Sequence, residues 1–283
     1  MLVTMATLLE DAQKEQYAFA AINVYSWESI HGALLAAQAA NTPVILAFAA
    51  RYQKHFSLAQ VAAMVKACAE TIDIPYALHL DHCGDLQTIK NALQAGFSSV
   101  MFDGSHLSFE ENCAQSKEAA EVAHAFGASV EAELGAIATG YLSAESTGDV
   151  MRYTDPQQAA QFVQATGIDA LAVSIGTVHG MYTGTPNIRL DILDEIHRQV
   201  DIPLVLHGGS DTGDSLLVEM VRRGIRKVNI NTEISLHCVE RARQLLQENS
   251  KLHLSDFSAQ LTSFFMEAAL RFIKILRSFP VNE

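Results

Sequence analysis

His82, His179 and His207 are the side chains from which a chemistry can first be read in this chain. They are separated by 97 and 28 residues, a spacing that defines nothing alone. Their surroundings are more informative. Each follows a short apolar run, and other runs also end in polar groups. The ends read Asn23, His79-Leu-Asp81-His82, Asp103-Gly-Ser105-His106, Glu131-Ala-Glu133, Ser174-Ile-Gly-Thr177-Val-His179-Gly180, His207-Gly-Gly-Ser210 and Asn229-Ile-Asn231-Thr232-Glu233. Burying polar groups without partners is costly, so their collection at one rim points to a site rather than to packing. Three imidazoles and one open position are the donor set of a catalytic zinc ion.

Asp81 is a candidate general acid/base beside that metal. Adjacent residues in a regular strand point to opposite faces, so Asp81 and His82 can share a site only if the backbone turns out of the strand. Cys83-Gly84 would permit such a turn. Asp103 and Glu133 are further acids at the rim, suited to a second or mobile cation. Glu131 and Glu133 share a strand face, and the pair can alternatively orient His82. His79 reads as a core residue or as a partner of a ligand. The segments Gly208-Gly209-Ser210 and Asn229-Ile-Asn231-Thr232 offer free backbone N–H groups and hydroxyls to an anion.

These residues need a scaffold that brings many strand ends together. Eight runs rich in Val, Ile, Leu and Ala occur: 19–24, 43–49, 76–81, 99–103, 129–134, 170–175, 203–207 and 227–231. Near-continuous apolar character suits parallel strands covered on both faces. Helical stretches separate them, at 27–40, 57–71, 85–95, 109–126, 155–166, 191–199 and 214–223. Ser26, Ser57 and Asp155-Pro156 are helix-opening signals, and Gly96, Gly127, Gly167 and Gly224 fall where left-handed helix ends are wanted. The expected architecture is α/β, a (β/α)8 barrel with its site at the carboxyl rim, as one domain over 1–283. A doubly wound sheet is the alternative, but Asn23-Val24-Tyr25-Ser26 carries no glycine fingerprint. The stretch 256–279 is interrupted by charges at helical spacing and reads as an amphipathic packing helix.

The net charge of −13 argues against non-specific nucleic-acid binding. No apolar run approaches the roughly 20 residues of a membrane helix. Four scattered cysteines and no leader at the amino terminus suggest reduced thiols and a cytoplasmic location.

Taken together, His79-Leu-Asp81-His82, Glu131-Ala-Glu133-Leu-Gly135, Ile175-Gly-Thr-Val-His179-Gly180, Leu206-His-Gly-Gly-Ser210 and Val228-Asn-Ile-Asn-Thr-Glu233 resemble the class II, zinc-dependent ketose-bisphosphate aldolases of the tagatose- and fructose-bisphosphate type. The resemblance runs in one register from about Leu8 to Arg243. It implies reversible cleavage of a phosphorylated ketose to dihydroxyacetone phosphate and an aldehyde. His82, His179 and His207 would ligate Zn2+, with Asp81 as acid/base and Asp103 and Glu133 as acids near the metal. Gly180, Gly208, Gly209, Ser210, Asn229, Asn231 and Thr232 would cradle the ketone-side phosphate, shared with Na+ or K+, and Asn23 would contact substrate. It also implies a homodimer or homotetramer.

Three departures stand out. The loop after Gly135 lacks the family's Gly-Gly pair followed by Glu-Asp, leaving Glu145 or Asp149 for the second acid/base. The second strand ends in Ala49-Ala50-Arg51, where bisphosphate enzymes offer Ser and Gly, so Arg51 would meet another acidic group. Asp211 replaces a glycine after Ser210. A Schiff-base aldolase is disfavoured because none of the eight lysines lies at the catalytic end of a strand; Lys227 reads as the first residue of its strand, at the opposite rim. The remaining alternatives are an aldolase for a ketose monophosphate, a metal-dependent hydrolase, and a non-catalytic sugar-phosphate binder.

Overall fold

The computed structural model describes residues 1–143, 151–184 and 187–278. Its strands are β1 (Phe19–Asn23), β2 (Val44–Ala49), β3 (Tyr76–Cys83), β4 (Ser99–Phe102), β5 (Ser129–Leu134), β6 (Ala138–Thr139), β7 (Ala170–Val173), β8 (Val178–His179), β9 (Leu204–Leu206) and β10 (Ile225–Ile230). Eight close into a parallel barrel in the order β1-β10-β9-β7-β5-β4-β3-β2, while β6 and β8 form a separate parallel pair. The eight apolar runs are the eight barrel strands. They are buried along both faces because helices α2 (Trp27–Ala39), α3 (Leu58–Ala69), α4 (Leu86–Ala95), α5 (Phe109–Ala125), α6 (Pro156–Thr166), α7 (Leu190–Gln199) and α8 (Asp214–Arg222) surround them.

Local chemistry sets the helix ends. Ser26 accepts from the Ser29 backbone N–H while the Ser29 hydroxyl accepts from the Ser26 N–H, and Ser57 and Gln60 repeat this reciprocal cap. Asp155 caps α6 ahead of Pro156, and Gly167 ends that helix at φ +70°.

Two apolar layers result. The outer layer lies between strands and helices. The inner layer joins Phe19, Ala21, Ile45, Ala77, Met101, Ala170, Ala172 and Val205 to Met5, Leu8, Leu9 and Ala12. Those last four lie on α1 (Met5–Glu15), which touches β1, β3, β5 and β10 and plugs the end of the barrel away from the polar rim. The sequence reading assigned no element before Phe19. The apolar positions 5, 8, 9 and 12 are nevertheless an i, i+3, i+4, i+7 stripe.

After β10 the chain forms α9 (Thr232–Glu248) and α10 (Leu254–Leu276). α10 crosses α2 at Gly32, where a Cβ would stand 2.9 Å from Phe265 Cβ. No helix among the described residues is long and apolar enough to cross a membrane.

Candidate active site

Strand periodicity carries alternate residues into the barrel: Ala77, His79 and Asp81 from β3, Glu131 and Glu133 from β5, Lys227 and Asn229 from β10. At the carboxyl end of β3 this period is broken. The pairing with β4 slips between Leu80 and Cys83, and His82 takes φ +47°, a left-handed conformation. The extra residue lets consecutive side chains serve one site. The turn is therefore at His82 itself, not at the following Cys83-Gly84.

Asp81 is fully buried and accepts from Asn23 Nδ2 at 2.9 Å and Asn229 Nδ2 at 3.1 Å. Burial pushes its pKa up, but the neighbouring His82, His207 and Lys227 outweigh this and hold it well below the usual carboxylate range. It is thus a carboxylate at neutral pH, with both oxygens fixed. Asn23, read as a substrate contact, is in the first instance the residue that holds Asp81, although it also lines the small cavity described below.

His82 Nδ1 lies 2.8 Å from Asp103 Oδ2, leaving Nε2 for a metal. His207 Nε2 lies 2.7 Å from Glu131 Oε1, leaving Nδ1, which is 3.0 Å from His82 Nε2. The sequence reading offered Glu131 and Glu133 as supports for His82. The structure gives that place to Asp103 and sets Glu131 against His207. His179 is not on the sixth barrel strand, which ends at Val173, but on β8, paired with Thr139 of β6.

The three imidazoles each present a nitrogen, and these atoms lie within 4.8 Å of one another. Nitrogens bound tetrahedrally to zinc at about 2.0–2.1 Å stand about 3.4 Å apart, so this donor set fits the ion. His82, Asp103 and Glu133 form a second group within the same limit. Glu133 Oε2 is buried with no hydrogen-bond partner among the described residues. Burial, reinforced by the Asp103 charge, raises the Glu133 pKa well above its usual value.

A small cavity lined by Asn23, His179, Gly180, Gly208, Ser210, Asn229, Asn231 and Thr232 adjoins the histidines. Gly209, expected in the same set, is not among the lining residues; it faces Val228 and Ile230 instead. The positive end of the α9 dipole faces this cradle, since Asn231 and Thr232 open the helix. Gly208, at φ +70°, has no room for a side chain: a Cβ would meet Val178 O at 2.3 Å. Asp211 keeps the left-handed backbone a glycine would adopt there, at φ +60°, and its carboxylate accepts from the Tyr182 N–H.

Beyond Asn231 and Thr232 a larger cavity of about 820 Å3 opens, lined also by Tyr25, Arg51, Tyr52, Lys54, His55 and Phe56. Arg51 donates to Tyr52 Oη at 3.0 Å, and its Nε is buried without a partner among the described residues. Asn231 Nδ2 also donates to Tyr52 Oη, at 3.1 Å, tying the two cavities together. Cys83 is no nucleophile, because burial pushes its thiol up to about 11. Glu145 and Asp149 lie outside the described residues.

Lys227 was misplaced by the sequence reading. It is the third residue of β10, fully buried inside the barrel, with Nζ 2.7 Å from Glu131 Oε2. The alternation Lys227, Asn229, Asn231 carried the signal, since Asn229 and Asn231 were placed together at the site and alternate residues of a strand share a face.

A closed parallel barrel thus brings three histidines that could hold a metal ion, a fixed carboxylate and a small glycine-lined cavity to one rim. The family model described as fructose-bisphosphate aldolase class-II matches residues 3–279, and the chain belongs to that family of aldolases. It is 41% identical over 254 residues to the 6-phospho-5-dehydro-2-deoxy-D-gluconate aldolase of Bacillus subtilis (strain 168), covering 89% of this chain and 87% of that one. The crystal structure of the YdjI aldolase from Escherichia coli K12 is similar with a TM-score of 0.86 at 34% identity, over 98% of both chains. A fructose-bisphosphate aldolase from Campylobacter jejuni, 23% identical, shares the fold with a TM-score of 0.80 over 97% of this chain and 94% of that one.

Proposed function

We propose that this aldolase is zinc-dependent and cleaves a phosphorylated keto-sugar acid to dihydroxyacetone phosphate and an aldehyde ending in a carboxylate. The observation that carries the reading is the convergence of His82 Nε2 and His207 Nδ1 at 3.0 Å beside Asp81, whose two oxygens are held by Asn23 and Asn229. Zinc bound by His82, His179 and His207 would supply Lewis-acid polarisation of the substrate ketone.

The protein's own residues do the rest. The Gly180, Gly208 and Ser210 backbone with the α9 amino terminus would hold the phosphate dianion, and a sodium or potassium ion would share that cradle. Asp81, ionised at neutral pH, takes the proton from the hydroxyl next to the breaking carbon–carbon bond and returns it in condensation. The far end of the substrate extends into the cavity of Arg51, Lys54 and His55, three cationic or basic groups that suit an acidic terminus. The name of the Bacillus subtilis relative, a gluconate, fits such a terminus. A bisphosphate is the second reading, because the same groups can bind phosphate.

Cleavage of 6-phospho-5-dehydro-2-deoxygluconate is compared with that of fructose and tagatose bisphosphates, following dihydroxyacetone phosphate, with and without chelator. The acid-ended substrate is expected to win by at least ~10-fold in kcat/KM, about 1.4 kcal/mol of discrimination. Arg51→Met should remove most of that margin. Preference for a bisphosphate overturns the acid-end reading, and chelator-resistant turnover overturns zinc. A homodimer or homotetramer belongs to the same proposal. Val239 and Leu246 of α9 and Leu254 of α10 are exposed apolar side chains that a second copy would cover, and sedimentation equilibrium tests it.

A further inference from the structure

Beneath the histidines the barrel holds a polar layer that the chemistry above does not use. Lys227, Glu131 and His79 are each fully buried. Glu131 divides its two oxygens. Oε2 accepts from Lys227 Nζ at 2.7 Å, and Oε1 lies 2.7 Å from His207 Nε2. His79 Nε2 approaches Oε2 only to 3.8 Å, and its Nδ1 is engaged by Ser99 Oγ at 2.7 Å. Lys227 is therefore, among the described residues, the strong donor that fixes the Glu131 carboxylate from below. A buried ion pair of this kind is a weak source of stability, since an apolar pair of similar volume often does as well.

We propose that Lys227 is a positioning residue for the metal. Its ammonium, reaching from β10 to β5, pins Glu131 Oε2 so that Oε1 receives the His207 Nε2–H. That hydrogen bond fixes the His207 tautomer and turns Nδ1 toward His82 Nε2. Without Lys227 the carboxylate is free to rotate toward His79, and His207 loses the acceptor that aims it. A hydrogen-bonded support of a metal-binding histidine typically changes metal affinity by ~10–100-fold. The inference rests on the zinc reading given above.

The test measures zinc affinity by chelator competition and the visible absorption of the Co2+-loaded protein. It compares wild type, Lys227→Met and the double variant Lys227→Met/Glu131→Gln. Glutamine keeps an oxygen for the His207 Nε2–H and needs no counter-charge. Lys227→Met should bind zinc ~10–100-fold more weakly, with a shifted Co2+ spectrum. The double variant should regain at least half of that loss on a logarithmic scale, which a general packing defect would not. Wild-type affinity in Lys227→Met, or no recovery in the double variant, overturns the inference.

Should Lys227→Met fail to fold, the neutral double variant decides: zinc affinity within about tenfold of wild type supports the inference and weaker binding overturns it. Independently of any variant, NMR of the metal-free wild type at about pH 8 must show His207 protonated on Nε2, and the Nδ1–H tautomer overturns it. If the wild type binds no zinc, the fault lies in the zinc reading and not in Lys227.

Discussion

Asp81→Asn is the sharpest probe of the site. Asp81 accepts from two amide NH2 groups, at 2.9 and 3.1 Å. Asparagine can accept with its oxygen but presents an NH2 to the other neighbour. That conflict has a built-in remedy: Asn23 Oδ1 and Asn229 Oδ1 both lack partners among the described residues, so flipping one neighbouring amide turns the donor–donor clash into a hydrogen bond. The variant should fold, because the flipped amide restores its hydrogen bonding, and should match wild type in zinc affinity. On the proposed mechanism, what it loses is the proton acceptor. A positioned acid/base contributes ~10²–10⁴-fold, so kcat for cleavage should fall by that factor, about 2.7–5.5 kcal/mol of barrier. The assay follows dihydroxyacetone phosphate release under saturation, beside metal content and thermal unfolding of the same preparation. A kcat within tenfold of wild type with zinc intact would refute the acid/base role. Loss of zinc in parallel with kcat would instead make Asp81 a support of the metal group.

Two other outcomes follow from the geometry. Gly208→Ala places a methyl 2.3 Å from Val178 O in a left-handed backbone, so the β8 segment carrying His179 must move. The left-handed conformation alone costs ~1–2 kcal/mol. A lowered melting temperature should accompany weaker zinc binding and raised KM, and unchanged metal affinity would count against the coupling. Glu133 has a folded pKa above its ordinary value of 4.5, so metal-free stability falls as pH rises from there toward the folded pKa. Glu133→Gln removes that loss. It should therefore stabilise the metal-free protein more at about pH 8 than at about pH 5, as read by thermal unfolding, and an equal gain at both would contradict the assignment.

The barrel was legible because its eight strands are buried on both faces and read as apolar runs. The rim was legible because polar residues at strand ends break those runs. What stayed hidden depended on atomic direction. Nothing in the order His79-Leu-Asp81-His82 says that the backbone turns at His82 rather than at Gly84, since a left-handed histidine has no composition signal. Nor could pattern say which acid supports which imidazole. Asp103 and Glu131 are both inward-facing, and only the closure of β3, β4, β5 and β9 around one axis assigns Asp103 to His82 and Glu131 to His207. Lys227 was misjudged because β10 begins at Ile225, two residues before the apolar run as delimited in the sequence.

The slipped pairing at the end of β3 has a consequence for anyone transplanting this chemistry. Copying the Asp-His dipeptide onto the end of another barrel's strand would deliver only one of the two groups, the other facing the surrounding helices. What has to be copied is the offset: one surplus residue against the neighbouring strand, placed so that the left-handed position is the histidine. The smallest transferable unit of this site is thus a defect in hydrogen-bond registry between two strands, and the reactive residues are passengers on it.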